Sequence, residues 1–225
     1  MNTINKIKKS TIVNGPVRRI GVKTRGITGT MPNGNRYESS LERDLMILLN
    51  FDPLVDVYTP QPLTLHYQSS DGVWHRYTPD GIIEYRKDIF VHDPRPVLLE
   101  VKYREDFIGE FRNWLPKYRA AKKYAKENGW LFEIYTEDRI RTPFLENVKF
   151  LTPYLNQLDP DLMMWLSEQL VTMSVSDPKT LISSLYRDKW NQAKLIPSLW
   201  ALIAQRKIGC DLSEPLTMNS KIWAL

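Results

Sequence analysis

The chain has 225 residues, 42% hydrophobic and 25% charged, with a formal net charge of +5. That is room for one large domain or a medium and a small one, in an ordinary globular composition, not a fibrous or unfolded one. The single cysteine, Cys210, excludes an internal disulfide and a cysteine-based zinc site.

The first residues lack the apolar core of a signal peptide, and no apolar run is long enough to span a bilayer. The expectation is an intracellular protein of the cytoplasm with no membrane partner. Residues 1–36 carry Lys6, Lys8, Lys9, Arg18, Arg19, Lys23, Arg25 and Arg36 and no acid, which leaves −3 for the rest. With several glycines and no periodicity, this segment reads as a flexible basic arm suited to lie along a phosphate backbone. The bland alternative is a solvated tail.

Residues 38–49 read as a helix, with Leu41, Leu45, Leu48 and Leu49 at helical spacing and Asp52-Pro53 as the stop. Residues 55–58 and 63–67 look like short strands around Pro60-Gln61-Pro62. Ser69-Ser70-Asp71-Gly72 is a turn, 74–85 one longer strand, and Asp93-Pro94-Arg95-Pro96 the next turn. The apolar run Val97-Leu98-Leu99 leads into Glu100. Residues 109–128 form a basic helix stopped by Gly129, and 130–135 a buried strand. Helices over 161–171, 177–186 and 190–207 precede two short strands, 210–212 and 221–225, the outline of a winged helix. Seven acids balance seven bases from 151 onward, and the third helix is largely apolar, which favours protein contact over DNA contact there. The resulting division is a basic arm, 1–36, a mixed α/β domain, 37–149, and a small winged-helix-like domain, 150–225.

Chemistry concentrates at two points. Tyr77-Thr78-Pro79-Asp80 ends in a carboxylate, and Glu100-Val101-Lys102 ends a strand whose alternation sends Glu100 and Lys102 the same way. Two carboxylates beside a lysine can hold a divalent metal and a water next to a phosphodiester. Charges at the end of a buried strand are costly without a purpose. A second acid-x-Lys, Asp177-Pro178-Lys179, is explained by helix capping, with Asp as N-cap and Pro in the first turn. Glu42 is a further carboxylate, but Ser39 three residues before it makes a capping box. Glu38 shares its helix face, so spacing does not decide which of the two would reach a metal. The basic helix carries Arg112, Lys117, Arg119, Lys122, Lys123 and Lys126 among Trp114, Tyr118 and Tyr124, suited either to a phosphate backbone or to solvent with the aromatics buried. His66, His75 and His92 have no metal-like spacing.

The ordered set Tyr37-Glu38-Ser39-Ser40-Leu41-Glu42-Arg43-Asp44, Phe51-Asp52-Pro53, Gln61-Pro62, Tyr77-Thr78-Pro79-Asp80 and Leu99-Glu100-Val101-Lys102-Tyr103-Arg104 resembles TnsA. TnsA is the endonuclease subunit of heteromeric cut-and-paste transposases, within the PD-(D/E)xK nucleases. The resemblance covers 37 to about 136. It implies a restriction-endonuclease-like core, a mixed sheet flanked by helices, and a C-terminal domain that engages transposition partners.

By the same resemblance Glu42 is the helix glutamate of the active site, Asp80 and Glu100 bind metal, and Lys102 is the catalytic lysine. Gln61 is a supporting residue. The Val101 carbonyl completes a site for one or two Mg²⁺ or Mn²⁺ ions, with Glu42 joining directly or through water. The implied reaction is nicking at the 5′ ends of a transposon in double-stranded DNA, leaving a 5′-phosphate and a 3′-hydroxyl. The implied partners are the DDE-type transposase TnsB and the AAA+ ATPase TnsC, in a bacterial cytoplasm. The alternatives are a free-standing restriction or repair nuclease of the same fold and a non-catalytic DNA-binding adaptor.

Overall fold

The computed structural model describes residues 27–69, 71–89, 94–156 and 159–225. The chain forms two compact units, Met1–Ile140 and Arg141–Leu225. The division falls ahead of the expected 149/150 boundary. Helix α4 (Pro143–Leu151) explains the difference: it buries Leu145, Val148 and Leu151 within the second unit. There Asn147 donates to the Leu212 and Glu214 carbonyls and accepts from the Leu216 N–H.

In the first unit β1 (Gly29–Thr30) and β2 (Arg36–Tyr37) pair antiparallel. The end of the expected flexible arm is therefore a hairpin. Gly34, at φ 88°, makes its turn, and Met31 and Tyr37 pack on the core. Helix α1 (Ser40–Phe51) follows. The central sheet is ordered β3-β6-β7-β8, from β3 (Val55–Pro60), β6 (Gly81–Tyr85), β7 (Val97–Val101) and β8 (Leu131–Tyr135). The β3-β6 and β6-β7 pairs are antiparallel; β7-β8 is parallel, joined through helix α2 (Arg104–Glu127). Short α3 (Glu137–Ile140) ends this unit.

The expected long strand over 74–85 is two strands in two sheets. β5 (Trp74–Tyr77) pairs with β4 (Leu65–Gln68), and β6 belongs to the central sheet. Pro79 offers no N–H to a ladder, so the chain leaves one sheet there and enters the other. Asp80 sits at that transfer.

Strand β7 is buried along its whole length, with Leu98 and Leu99 at 0% exposure. Its alternation divides the core. Val97, Leu99 and Val101 pack with Leu41, Leu45 and Met46 of α1, whereas Leu98 packs with Leu65, Tyr77 and the α2 residues Ala121, Tyr124 and Ala125. Burying each large apolar side chain contributes about 1.5–3 kcal/mol. That packing fixes the end of β7, and with it the site.

In the second unit α5 (Pro160–Met173), α6 (Pro178–Leu185) and α7 (Lys189–Ala204) accompany a three-stranded antiparallel sheet. Its order is β10 (Ile208–Cys210), β11 (Ile222–Ala224), β9 (Val175–Ser176). The three helices and closing hairpin match the sequence reading, and β9 is an addition too short for a periodic signal. Among the described residues no helix is long and apolar enough to cross a membrane.

Candidate active site

Asp80 stands where β6 begins beside the end of β7. Its N–H donates to the Leu99 carbonyl (3.1 Å), and its Oδ2 accepts the Val101 N–H (2.8 Å). The carboxylate therefore continues the ladder one position beyond the strand. Gly81 is required next to it: a Cβ there would lie 2.3 Å from the Tyr58 ring, whose hydroxyl donates to the Asp80 carbonyl (3.2 Å).

Glu100 points to the α2 side of the sheet and is only 2% exposed. Its Oε2 accepts from the Tyr77 hydroxyl (2.6 Å), and its Oε1 lies 3.2 Å from Lys102 Nζ and 3.0 Å from Lys117 Nζ. Lys102, just past β7, is anchored by its N–H on the Tyr135 carbonyl (3.0 Å). Its Nζ also reaches the Val101 carbonyl at 3.0 Å and Asp80 Oδ2 at 3.5 Å. Three oxygens, from Asp80, Glu100 and Val101, thus converge on one cationic nitrogen.

The electrostatics follow from this crowding. Burial, then the charge of Glu100, pushes the Asp80 carboxyl up to about 7. Burial would lower the Lys102 ammonium, but the Asp80 and Glu100 charges outweigh it and hold it above the ordinary lysine range. Lys102 is a fixed positive charge at working pH.

Glu42 behaves as a cap. The Glu42 N–H donates to Ser39 Oγ (3.1 Å), Ser39 Oγ donates to Glu42 Oε1 (3.0 Å), and Glu42 Oε2 accepts the Glu38 N–H (2.9 Å). Burial raises its pKa, and its charge is felt at Asp80 and Lys102 without direct contact. Glu38, the residue before the N-cap and not part of the helix, faces the cleft instead. Its Oε1 accepts from Gln61 Nε2 (3.2 Å). Gln61 is 6% exposed at φ 46°, donates its N–H to the Asp80 carbonyl (3.0 Å), and has no partner for Oε1 among the described residues. A non-glycine residue held in that conformation at a polar cleft is strain of the kind found at functional sites.

Glu38, Gln61, Asp80, Glu100 and Lys102 line one cleft of about 690 Å³ with Arg76 and the Thr64 and Thr78 hydroxyls, which bond each other at 3.0 Å. Sequence reasoning did not reach Tyr77, Arg76 or the contact of Lys117 with Glu100. Tyr77 lies inside the motif that ends in Asp80, but Lys117 is one of seven basic residues on α2. Of the other expected DNA contacts, Lys122 and Lys123 are exposed on α2, Lys123 lying 3.8 Å from Glu127. Lys6, Lys8, Lys9, Arg18, Arg19, Lys23 and Arg25 lie outside the described residues, as does His92. His75 bonds Ser69 Oγ (2.9 Å) and stacks on Tyr67. Among the described residues no group of three His, Cys, Asp or Glu side chains is arranged to hold a metal. Glu42, the expected third carboxylate, is turned into its cap.

Residues 52–137 match the family TnsA-like endonuclease N terminal, and 139–212 match TnsA endonuclease C terminal. The first span includes Asp80, Glu100 and Lys102; Glu42 lies ahead of it. No curated protein matches the chain. Both halves of one endonuclease are matched in order, and the mixed sheet flanked by helices carries an acid–lysine cluster at its strand ends. The chain belongs to the TnsA-like endonucleases, DNA-cleaving subunits of the Tn7 type.

Proposed function

We propose that the cleft is the catalytic centre of a Mg²⁺-dependent nuclease that nicks the 5′ ends of a transposon, leaving a 5′-phosphate and a 3′-hydroxyl. The observation that carries this reading is the convergence of Asp80 Oδ2, Glu100 Oε1 and the Val101 carbonyl on a single cation, the Lys102 ammonium. A divalent metal is implied by the family generally, and these donors suit one: all are hard oxygens, and burial, with the charge of Glu100 beside it, raises Asp80. Mg²⁺, or Mn²⁺ in its place, as one or two ions, would be held by Asp80, Glu100 and Val101. Glu42 would join through water, since its own oxygens are engaged at the cap.

A metal held by these residues would polarise the scissile phosphate and lower the pKa of an attacking water. Lys102 has no lone pair to serve as a base while protonated. Its part is to donate to a phosphate oxygen and stabilise the charge that builds during attack. Asp80 and Glu100 are positioned before substrate arrives, by the Val101 N–H and by the Tyr77 hydroxyl. Arg76 on the cleft wall supplies a further charge toward a phosphate.

In this reading the substrate is double-stranded DNA at transposon ends, Lys122 and Lys123 follow its backbone, and so does the basic segment over residues 1–36. The partners are the DDE-type transposase TnsB, which processes the 3′ ends, and the AAA+ ATPase TnsC, in a bacterial cytoplasm. The second unit, winged-helix-like and with balanced charge, serves protein contact. The test is end cleavage reconstituted with the transposase of the same element. A 5′-strand nick that requires Mg²⁺ supports the reading. Cleavage away from the element's ends points to a free-standing restriction or repair nuclease, and DNA binding with no metal-dependent cleavage points to an adaptor.

A further inference from the structure

Glu100 is held by two lysines, Lys102 and Lys117. Lys117 reaches it from α2, seventeen residues along the chain, with Nζ 3.0 Å from Glu100 Oε1. Its side chain is 15% exposed, and Nζ lies 5.0 Å from the ring centre of Tyr77, 4.8 Å from Trp114 and 4.9 Å from Tyr118. Three aromatic faces around an ammonium make a favourable and confining seat. One of those rings belongs to Tyr77, whose hydroxyl takes the other oxygen of Glu100 (2.6 Å). Glu100 is therefore gripped at both oxygens by groups that lock each other. An exposed lysine following a phosphate backbone needs none of this.

The geometry points to Lys117 as a positioning residue for Glu100, not a DNA contact. Its role rests on the proposed reading of the cleft. Lys102 touches Asp80, Glu100 and the Val101 carbonyl at once, so it must leave some of them to act on a phosphate. A buried carboxylate deprived of its only cation is strongly disfavoured. Lys117 keeps Glu100 compensated and oriented while Lys102 moves. Groups that orient a metal ligand from behind typically change metal affinity or activity by about 10–100-fold when removed.

The experiment is calorimetric titration of the full chain with Mn²⁺, on wild type, Lys117→Met, Lys117→Arg and Asp80→Ala. A roughly tenfold weaker Mn²⁺ affinity for Lys117→Met, largely restored in Lys117→Arg, is the expected result. Duplex affinity in EDTA should be unchanged in Lys117→Met. Unchanged or tighter Mn²⁺ binding overturns the proposal, as does a weaker duplex affinity whose salt slope drops by about one, the mark of a lost phosphate contact. Should Lys117→Met fail to fold, Trp114→Leu opens one wall of the seat with Lys117 retained. It should weaken Mn²⁺ binding in the same direction as loss of the lysine, and no weakening overturns the proposal. Asp80→Ala separates the two levels. If it binds Mn²⁺ as wild type does, the reading of the cleft itself fails. If Asp80→Ala loses Mn²⁺ and Lys117→Met keeps it, only the role of Lys117 fails.

Discussion

Glu100-Val101-Lys102 and Asp177-Pro178-Lys179 share one spacing of acid and lysine in two different settings. In the first unit the acid is 2% exposed at the end of a fully buried strand, and two ammoniums and a phenol surround it. In the second, Asp177 caps α6, accepting from the Thr180 N–H (2.8 Å) and its hydroxyl (2.7 Å). Those Thr180 bonds hold Asp177 below the usual carboxylate range, while burial and Glu100 hold Asp80 above it. The same spacing of acid and lysine gives a helix start in one place and a charged cluster in the other. Burial and partners decide which.

The units also differ in what they bury. Among the described residues the first hides Glu100, Gln61, Asp44 and Thr136, and two of these four line the cleft. The second hides Asn147 and Ser198; Asn147 ties down the loop before β11, and most of α7 from Leu195 to Ala204 is apolar and buried. Polar burial serves a site in one unit and loop closure in the other.

Four substitutions sharpen this contrast, the largest effect first. Leu199→Ala, in the apolar interior of α7 at 0% exposure, should cost about 2–5 kcal/mol in denaturant unfolding, the ordinary penalty of a core cavity. Lys102→Ala should lower the single-turnover cleavage rate by about 10²–10³-fold, the loss of one stabilising donor, while the thermal midpoint changes little. Gly81→Ala should cost about 1–3 kcal/mol, because its Cβ would meet the Tyr58 ring at 2.3 Å; if chemical denaturation finds no loss, the close approach is wrong. Asp177→Ala should cost only about 1 kcal/mol, the value of an N-cap, and leave cleavage unchanged.

A pH effect separates the two acids further. The fold raises Asp80 from 3.8 to about 7, so its protonated form is favoured on folding. Its contribution to stability is complete below the unfolded value and is lost as pH rises through about 7. In metal-free melts from about pH 5 to about 8, wild type should lose more stability than Asp80→Asn, which cannot ionise. Equal slopes would contradict the burial of Asp80 beside Glu100.

Much of this was legible in the sequence because local signals agreed. Leucine spacing marked α1, the apolar run marked β7, and the Asp80 and Glu100-Val101-Lys102 motifs sit at adjoining strand ends. Helix α2 starts at Arg104, ahead of the expected 109: Gly109 weakens the helical signal there while Glu105 and Asp106 favour a first turn. The break at Pro79 was hidden by alternation that continues through it. Lys117 and Glu38 were not distinguishable from their neighbours, because their place depends on which faces α2 and the chain before α1 turn to the cleft. The sequence suits Glu42 both to a cap and to a metal ligand, and its hydrogen bonds are those of the cap.

The central claim is that Asp80 belongs to the centre that cuts DNA and Asp177 does not. It is tested most directly by reconstituted transposon-end cleavage in Mg²⁺, comparing wild type, Asp80→Ala and Asp177→Ala at matched folded fraction. The account predicts that Asp80→Ala abolishes the 5′-strand nick while Asp177→Ala cuts at the wild-type rate. An Asp80→Ala protein that nicks as fast as wild type would contradict it.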